Sequence, residues 1–434
     1  MTNKWPCGAL ALAATFLSGA ASAQSASPHQ QLTRDIYREL IEIRTVHPDG
    51  DNTAAARAMA RRLLDAGFDP KDVEVLEPAP RKGNLVARLR GTGELKPVML
   101  LAHIDVVEAK KEDWSDGLDP FKLTEKDGYF YGRGTIDDKA QAAIFIANLV
   151  RAHKAGWKPK RDVIVALTAD EEGGTTNGVT WLIANRRDAI DAEFAINEGG
   201  NLVLRDGKPY ELAVQVSEKI PFTYELAATN AGGHSSLPRA DNAIYDLVAA
   251  LDRLSRHQFP ARSATGDQLR RAVADPSLNA QLRTTCVATR LEAGHASNAL
   301  PQTAKATVNC RMLPNENPQD LQRTLVTLAG ERVAVKALYD PKPSPPSDPD
   351  SKAMKTIRRV AAATWPGVVV TPTMSAGATD GSRLRVIGIP VYGVAGIAME
   401  VERMHGRDER LEIGAFHQAI EFLDRLVREL ASGG

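Results

Sequence analysis

Apolar residues recur along this chain with two different periods, and the change from one to the other outlines a fold. Over 31–40 and 53–66 they return every three or four positions, the spacing that gathers them on one face of a helix. Asn84–Leu89 alternates, as a strand does when one face is covered. Residues 97–102 and 162–168 are nearly unbroken apolar runs, which suit strands covered on both faces. Helical spacing returns over 140–155 and 178–187, with a further short strand at Phe194–Asn197. Strands taken in turn with helices predict an α/β architecture, a mixed and mostly parallel sheet with helices on both faces.

Beyond residue 216 the rhythm changes. A strand at 221–229, an amphipathic helix at 242–256, strands at 284–291 and 304–311, a helix at Pro318–Ala329 and a strand at Val333–Ala337 follow one another. That β-α-β-β-α-β order is the ferredoxin-like arrangement. A stiff proline-rich return covers 340–349, and from 351 the α/β pattern resumes. The expected organisation is a leader at 1–23, a large domain in two pieces (24–215 and 339–434), and a smaller α+β domain (216–338) inserted between them.

Composition narrows this picture at two points. Lys plus Arg and Asp plus Glu balance at 54 each, so overall charge gives no support for nucleic acid or an anionic membrane as partner. Lys4, the short apolar run 8–19 and the small residues Ala21-Ser22-Ala23 read as a signal peptide cleaved after Ala23, which predicts a secreted or periplasmic protein with no membrane anchor left. The run falls short of the roughly 20 residues that span a bilayer. Cys286 and Cys310 survive that cleavage. Both lie in strand-like runs, so one bridge and two buried free thiols are both open, and neither has zinc-thiolate spacing.

The chemistry sits where the buried strands end, the place at which open α/β sheets build their sites. Those ends carry His103-Ile-Asp105, then Asp170-Glu171-Glu172, then Asn197-Glu198. Between them a glycine-rich turn with Asp137 opens a helix, and His405 stands near the C-terminus. Singly each is weak: an acidic cluster is usually a solvated loop, and a lone histidine usually packs. Together, each just after an apolar strand or at a glycine turn, they form a mixed nitrogen and oxygen donor set that suits zinc or another divalent ion such as cobalt or manganese.

With HIDVV (103–107), YGRGTIDDK (131–139), TADEEGG (168–174), INEGG (196–200), GGHSSLP (232–238), SNALP (297–301) and MHGRDE (404–409) in that order, the chain resembles the zinc aminoacylase and carboxypeptidase family with a peptidase dimerisation domain. Carboxypeptidase G-type enzymes, aminoacylase-1, succinyl-diaminopimelate desuccinylase and Gly-X carboxypeptidases belong to it, and the resemblance runs from about Leu32 to Leu430. It implies two zinc ions bridged by Asp137, with His103 and Glu198 completing one site and Glu172 and His405 the other. It implies Glu171 as general base, Asp105 as the group orienting His103, and a cis peptide after Asp137. It makes the inserted domain a lid that forms a homodimer, His234 an oxyanion donor reaching the partner's site, and Asn298 and Arg311 substrate contacts. Arg383 is the candidate for a substrate carboxylate, with Arg385 close enough to serve instead. The expected reaction is hydrolysis of an amide bond in a small peptide or N-acyl amino acid. The alternative is a non-catalytic zinc-binding scaffold of the same fold, which would have no use for a free base such as Glu171 beside intact ligands. Side chains that set substrate specificity lie in loops that the sequence does not place.

Overall fold

The unbroken apolar runs are explained by what covers them. In the computed structural model, which describes residues 26–262, 265–338 and 343–434, a nine-stranded sheet forms the centre of the large domain. The leader expected at 1–23 and the start of the proline-rich return lie outside the described residues. The strands lie in the order Val73–Leu76, Asn84–Leu89, Arg161–Thr168, Leu95–His103, Phe194–Asn197, Val391–Gly393, Lys208–Glu218 and Val369–Ser375, with Asn201–Arg205 paired against Lys208–Glu218. The four in the middle, Arg161–Thr168 to Val391–Gly393, run parallel. Antiparallel neighbours flank them, and Val369–Ser375 is again parallel to its partner.

The pleat sends alternate residues to opposite faces. Val98, Leu100, Ala102, Val163, Val165 and Leu167 meet helices Pro28–Glu42, Asn52–Asp65, Lys139–Lys154, Lys352–Thr364 and Ile413–Ala431. Met99, Leu101, Ile164 and Ala166 meet Gly178–Asn185 and Gly381–Val386 on the other side. Lys139–Lys154 is apolar nearly all round and is buried along most of its length, as such a helix must be.

The chain leaves this sheet at Lys219. Lys208–Glu218 belongs to the large sheet and Ile220–Thr229 to a separate four-stranded one, so 216–218 stay with the large domain, three residues beyond the expected boundary. The small sheet has the order Thr285–Ala293, Thr303–Met312, Ile220–Thr229, Val333–Ala337, antiparallel throughout. Helices Ala243–Arg256 and Pro318–Ala329 cover one face of it and build a second core. Cys286 pairs with Cys310 across two neighbouring strands, and the two are joined in a disulfide, which resolves the open alternative in favour of a bridge. Two short helices, Gly266–Ala272 and Pro276–Leu282, precede the edge strand and were not expected. On its return the chain runs beside the exit strand: Ser347 N donates to Val216 O at 2.8 Å. Among the described residues no helix is long and apolar enough to cross a membrane.

Candidate metal centre

Each expected ligand lies at the C-terminal edge of the large sheet. His103 is the last residue of its strand and is 2% exposed. Glu171 and Glu172 follow Arg161–Thr168, and Glu198 follows Phe194–Asn197. Asp137 sits just before the buried helix Lys139–Lys154, and its peptide bond to Asp138 is cis. His405 comes from a loop ahead of Arg410–Glu412, with φ +61°.

These side chains meet around Asp137. Its Oδ1 lies 2.8 Å from His103 Nε2, and its Oδ2 lies 3.2 Å from His405 Nε2. Glu198 Oε1 is 3.8 Å from His103 Nε2, and Glu172 Oε1 is 2.9 Å from His405 Nε2. The result is two groups of donors, His103–Asp137–Glu198 and Asp137–Glu172–His405, each with its ligand atoms within 4.8 Å of one another. Asp137 belongs to both; Glu171 belongs to neither.

The supports are buried. Asp105 carries out its expected role differently: His103 Nδ1 bonds the Asp105 backbone carbonyl at 3.0 Å, while the Asp105 carboxylate is 3.7 Å from that nitrogen. The carboxylate instead accepts the backbone N–H groups of Glu171 (3.1 Å) and Glu172 (2.9 Å). It therefore ties the first strand end to the second. Lys82 pairs with Asp170 at 2.6 Å, next to the two glutamates. Asn177 donates to the Asp170 carbonyl (3.2 Å) and to Asp380 (2.6 Å), and Asp380 also accepts from Thr168 Oγ1 at 2.9 Å.

The electrostatics ask for a cation. Burial pushes Glu198, Glu171 and Asp138 well above the ordinary carboxylate range, and neighbouring carboxylates push them further. Burial works against His103 as a cation, yet Glu198, Asp137 and Glu171 outweigh it and raise its value. Asp137 and Glu172 raise His405 to about 10. Asp137 itself is held below its usual range against the effect of burial, by His103 and His405. Buried carboxylates outnumber the imidazoles, and the Oδ2 of Asp138 has no hydrogen-bond partner. Two divalent ions fit this donor set, because they would supply the missing positive charge to groups that are costly to bury alone.

A cleft of about 940 Å³ opens on the centre. Glu171, Glu172 and His405 line its floor; Lys219, Asn309 and Arg311 reach it from the small domain, and Thr379 and Arg383 from the large one. The two arginines left open by the sequence now separate. Arg385 is buried and paired with Glu218 at 2.8 Å, and Glu218 in turn accepts from Thr379 N and Oγ1. Arg383 keeps one contact to Asp380 at 3.3 Å and remains 43% exposed on the cleft. Lys219 and Asn309 were not singled out in the sequence, since a lone polar residue within a strand pattern carries no signal. His234 lies on a two-stranded ribbon, Gly233–His234 with Ala299–Leu300, and Asn298 immediately precedes its second strand. Both are exposed, and neither lines the cleft of its own chain.

Comparison with known proteins adds to this geometry. Residues 99–429 match the family model for peptidase family M20/M25/M40. The chain is 31% identical over 376 residues to the N-fatty-acyl-amino acid synthase/hydrolase PM20D1 of Xenopus tropicalis, covering 77% of this chain and 72% of that one. It is 27% identical over 422 residues to aminoacylase-1A of Rattus norvegicus, covering 94% and 96%. Its fold superposes on an M20 family metallo-carboxypeptidase from Sulfolobus solfataricus with a TM-score of 0.72 at 17% identity, covering 92% and 99%. The chain thus belongs to peptidase family M20/M25/M40, and it is a metallohydrolase of amide bonds.

Proposed function

We propose that the protein hydrolyses N-acyl amino acids or small peptides that carry a free carboxylate beside the scissile amide, with two divalent ions, zinc first among the candidates. One observation carries this reading: Asp137 is shared by both donor groups, while Glu171 stands at the cleft outside both. Held by His103, Glu198, Glu172, His405 and the shared Asp137, a metal pair would supply Lewis acidity to the amide oxygen and would lower the pKa of an attacking water. Glu171 accepts the proton from that water and delivers it to the leaving nitrogen. Its neighbour Glu172 is engaged with His405, so adjacent glutamates hold opposite duties. Arg383 and Arg311 are the candidates to hold the substrate carboxylate, because a guanidinium fork matches its two oxygens. His234 and Asn298, exposed in their own chain, are proposed to complete the site of a second copy in a homodimer, His234 by stabilising the oxyanion. Export is part of the same reading, supported by the leader-like N-terminus and by a disulfide, which persists in oxidising compartments.

The test is a panel of N-acyl amino acids and dipeptides given to metal-loaded wild type and to Glu171→Gln. Amine release should fall about a thousandfold in the variant, with metal content unchanged. Equal, slow release from both proteins would return the scaffold reading to favour.

A further inference from the structure

The two donor groups are not held alike. His103 is fixed by a strand buried between two helix layers. His405 has no such frame: it lies in a loop, its side chain is 52% exposed, and its backbone adopts the left-handed region that a residue with a Cβ enters reluctantly. A ligand on such a loop must be ordered by something else, or ordering it would weaken metal binding.

That something is visible below the loop. Arg133 is 3% exposed and Glu409 fully buried, and the two form an ion pair. Its Nη2 donates to the backbone carbonyls of His405 (3.1 Å) and Gly406 (2.9 Å). The other oxygen of Glu409 accepts the backbone N–H of Ile136 at 2.7 Å, one residue before Asp137. Gly132 N donates to the Glu409 carbonyl at 3.1 Å, and Arg133 N to Pro120 O at 2.7 Å. A closed circuit results. It runs from the His405 carbonyl through Arg133 and Glu409 to Ile136, and from there to Asp137. Beside it, Asp408 accepts from Ser115 N (2.9 Å) and Oγ (2.7 Å), which anchors the loop on its outer side.

We propose that Arg133 and Glu409 are positioning residues for the second metal: they set the separation between Asp137 and His405, and so decide whether the centre holds two ions or one. Neither touches the reacting atoms. The planar fork of Arg133 reaches two adjacent carbonyls and a carboxylate at once, which a lysine cannot do. The proposal rests on the reading of His405 as a ligand, and its test separates the two.

Zinc is titrated into metal-free wild type, His405→Ala, Glu409→Gln and Arg133→Lys, with bound metal per chain counted and a cobalt-loaded sample of each followed by visible absorption. Wild type is expected to take two ions and His405→Ala one. Glu409→Gln and Arg133→Lys should take the first ion at wild-type strength and the second about 10–100-fold more weakly, with the cobalt spectrum changed at one site. Simple loss of stability would weaken both sites together. If either variant binds both ions as wild type does, the positioning role is overturned. Arg133→Lys keeps a buried cation opposite Glu409, so the question stays answerable should Glu409→Gln fail to fold. If wild type itself takes a single ion, it is the two-metal reading that falls.

Discussion

In the large sheet, Leu95–His103 is buried from Val98 to its end, while in the small sheet Ile220–Thr229 alternates buried and half-exposed positions along its length. One strand is pressed between two layers of helices; the other has helices on one face only. The difference reappears in the functional groups that each sheet carries. In the large domain His103, Glu171, Glu172 and Glu198 follow buried strands, and the loops beside the first three are tied together through Asp105, Asp170 and Asp380, while His405 alone among the ligands stands on a half-exposed loop. The groups of the small domain stand on an open face (Asn309 and Arg311) or on an exposed ribbon (His234 and Asn298). Its edge strand Thr285–Ala293 is exposed beyond its first two residues and is tied to its neighbour by the disulfide. Reactive groups that must not move are placed where packing is densest. Groups proposed to meet the substrate stand where a rearrangement costs less.

The sharpest way to break this division is to compare losses. Glu171→Gln, in the dense part, should lower turnover about a thousandfold and leave metal content and melting temperature near those of wild type. His234→Ala, on the exposed ribbon, should cost about a hundredfold. Mixing His234→Ala with Glu171→Gln under conditions of subunit exchange should restore activity, because one site of the mixed dimer then has an intact base and an intact histidine. A mixture as inactive as its components would show that the ribbon serves its own chain or none. Next in size is stability: replacing both Cys286 and Cys310 by alanine opens a link of sequence separation 24 and should cost about 3 kcal/mol. Hydrogen exchange should then rise first in Thr285–Ala293 and leave Leu95–His103 protected; uniform loss of protection would mean that the two sheets unfold as one. The smallest effect is expected at Lys219, where the sheets join. Burial, with Arg311 nearby, lowers its ordinary value of 10.5 to about 8. The unfolded chain therefore binds the proton more readily, so the stability from this group is present above pH 10.5 and is lost as pH falls through 8. Wild type should lose melting temperature against Lys219→Met over that window and run parallel to it below; a difference that stays flat with pH would mean that Lys219 is not desolvated.

Much of the centre was legible in the sequence because of that same density. A polar group at the end of a buried apolar run, as at His103, or within a few residues of one, as at Glu171 and Glu198, needs a reason to be there, and the reason is usually chemical. What stayed hidden depends on partners far along the chain. Arg133 and Glu409 lie 276 positions apart, and nothing local distinguishes them from surface charges. Arg383 and Arg385 differ only in which side of a short helix they occupy, so the structure had to show that Arg385 is consumed by Glu218. Asp105 stood in the expected place, but it acts through its backbone carbonyl on His103 and through its carboxylate on the next loop, a division that no motif records. The strand Lys208–Glu218 carries little signal in the sequence, because its first residues alternate weakly and its continuous burial comes only in its second half.

The chain leaves the large domain at Lys219 and, among the described residues of its return, Ser347 is hydrogen-bonded to Val216, just before that exit. A body attached at one point can swivel in any direction, but one attached along a short line turns like a door on its jamb. Rotation about that line is the motion expected to cost the small domain least, because sliding would break the bond between Ser347 and Val216 beside the exit strand. Such a rotation would change the separation of Arg311 and Arg383, which line the cleft from the two domains, and with it the width of the cleft.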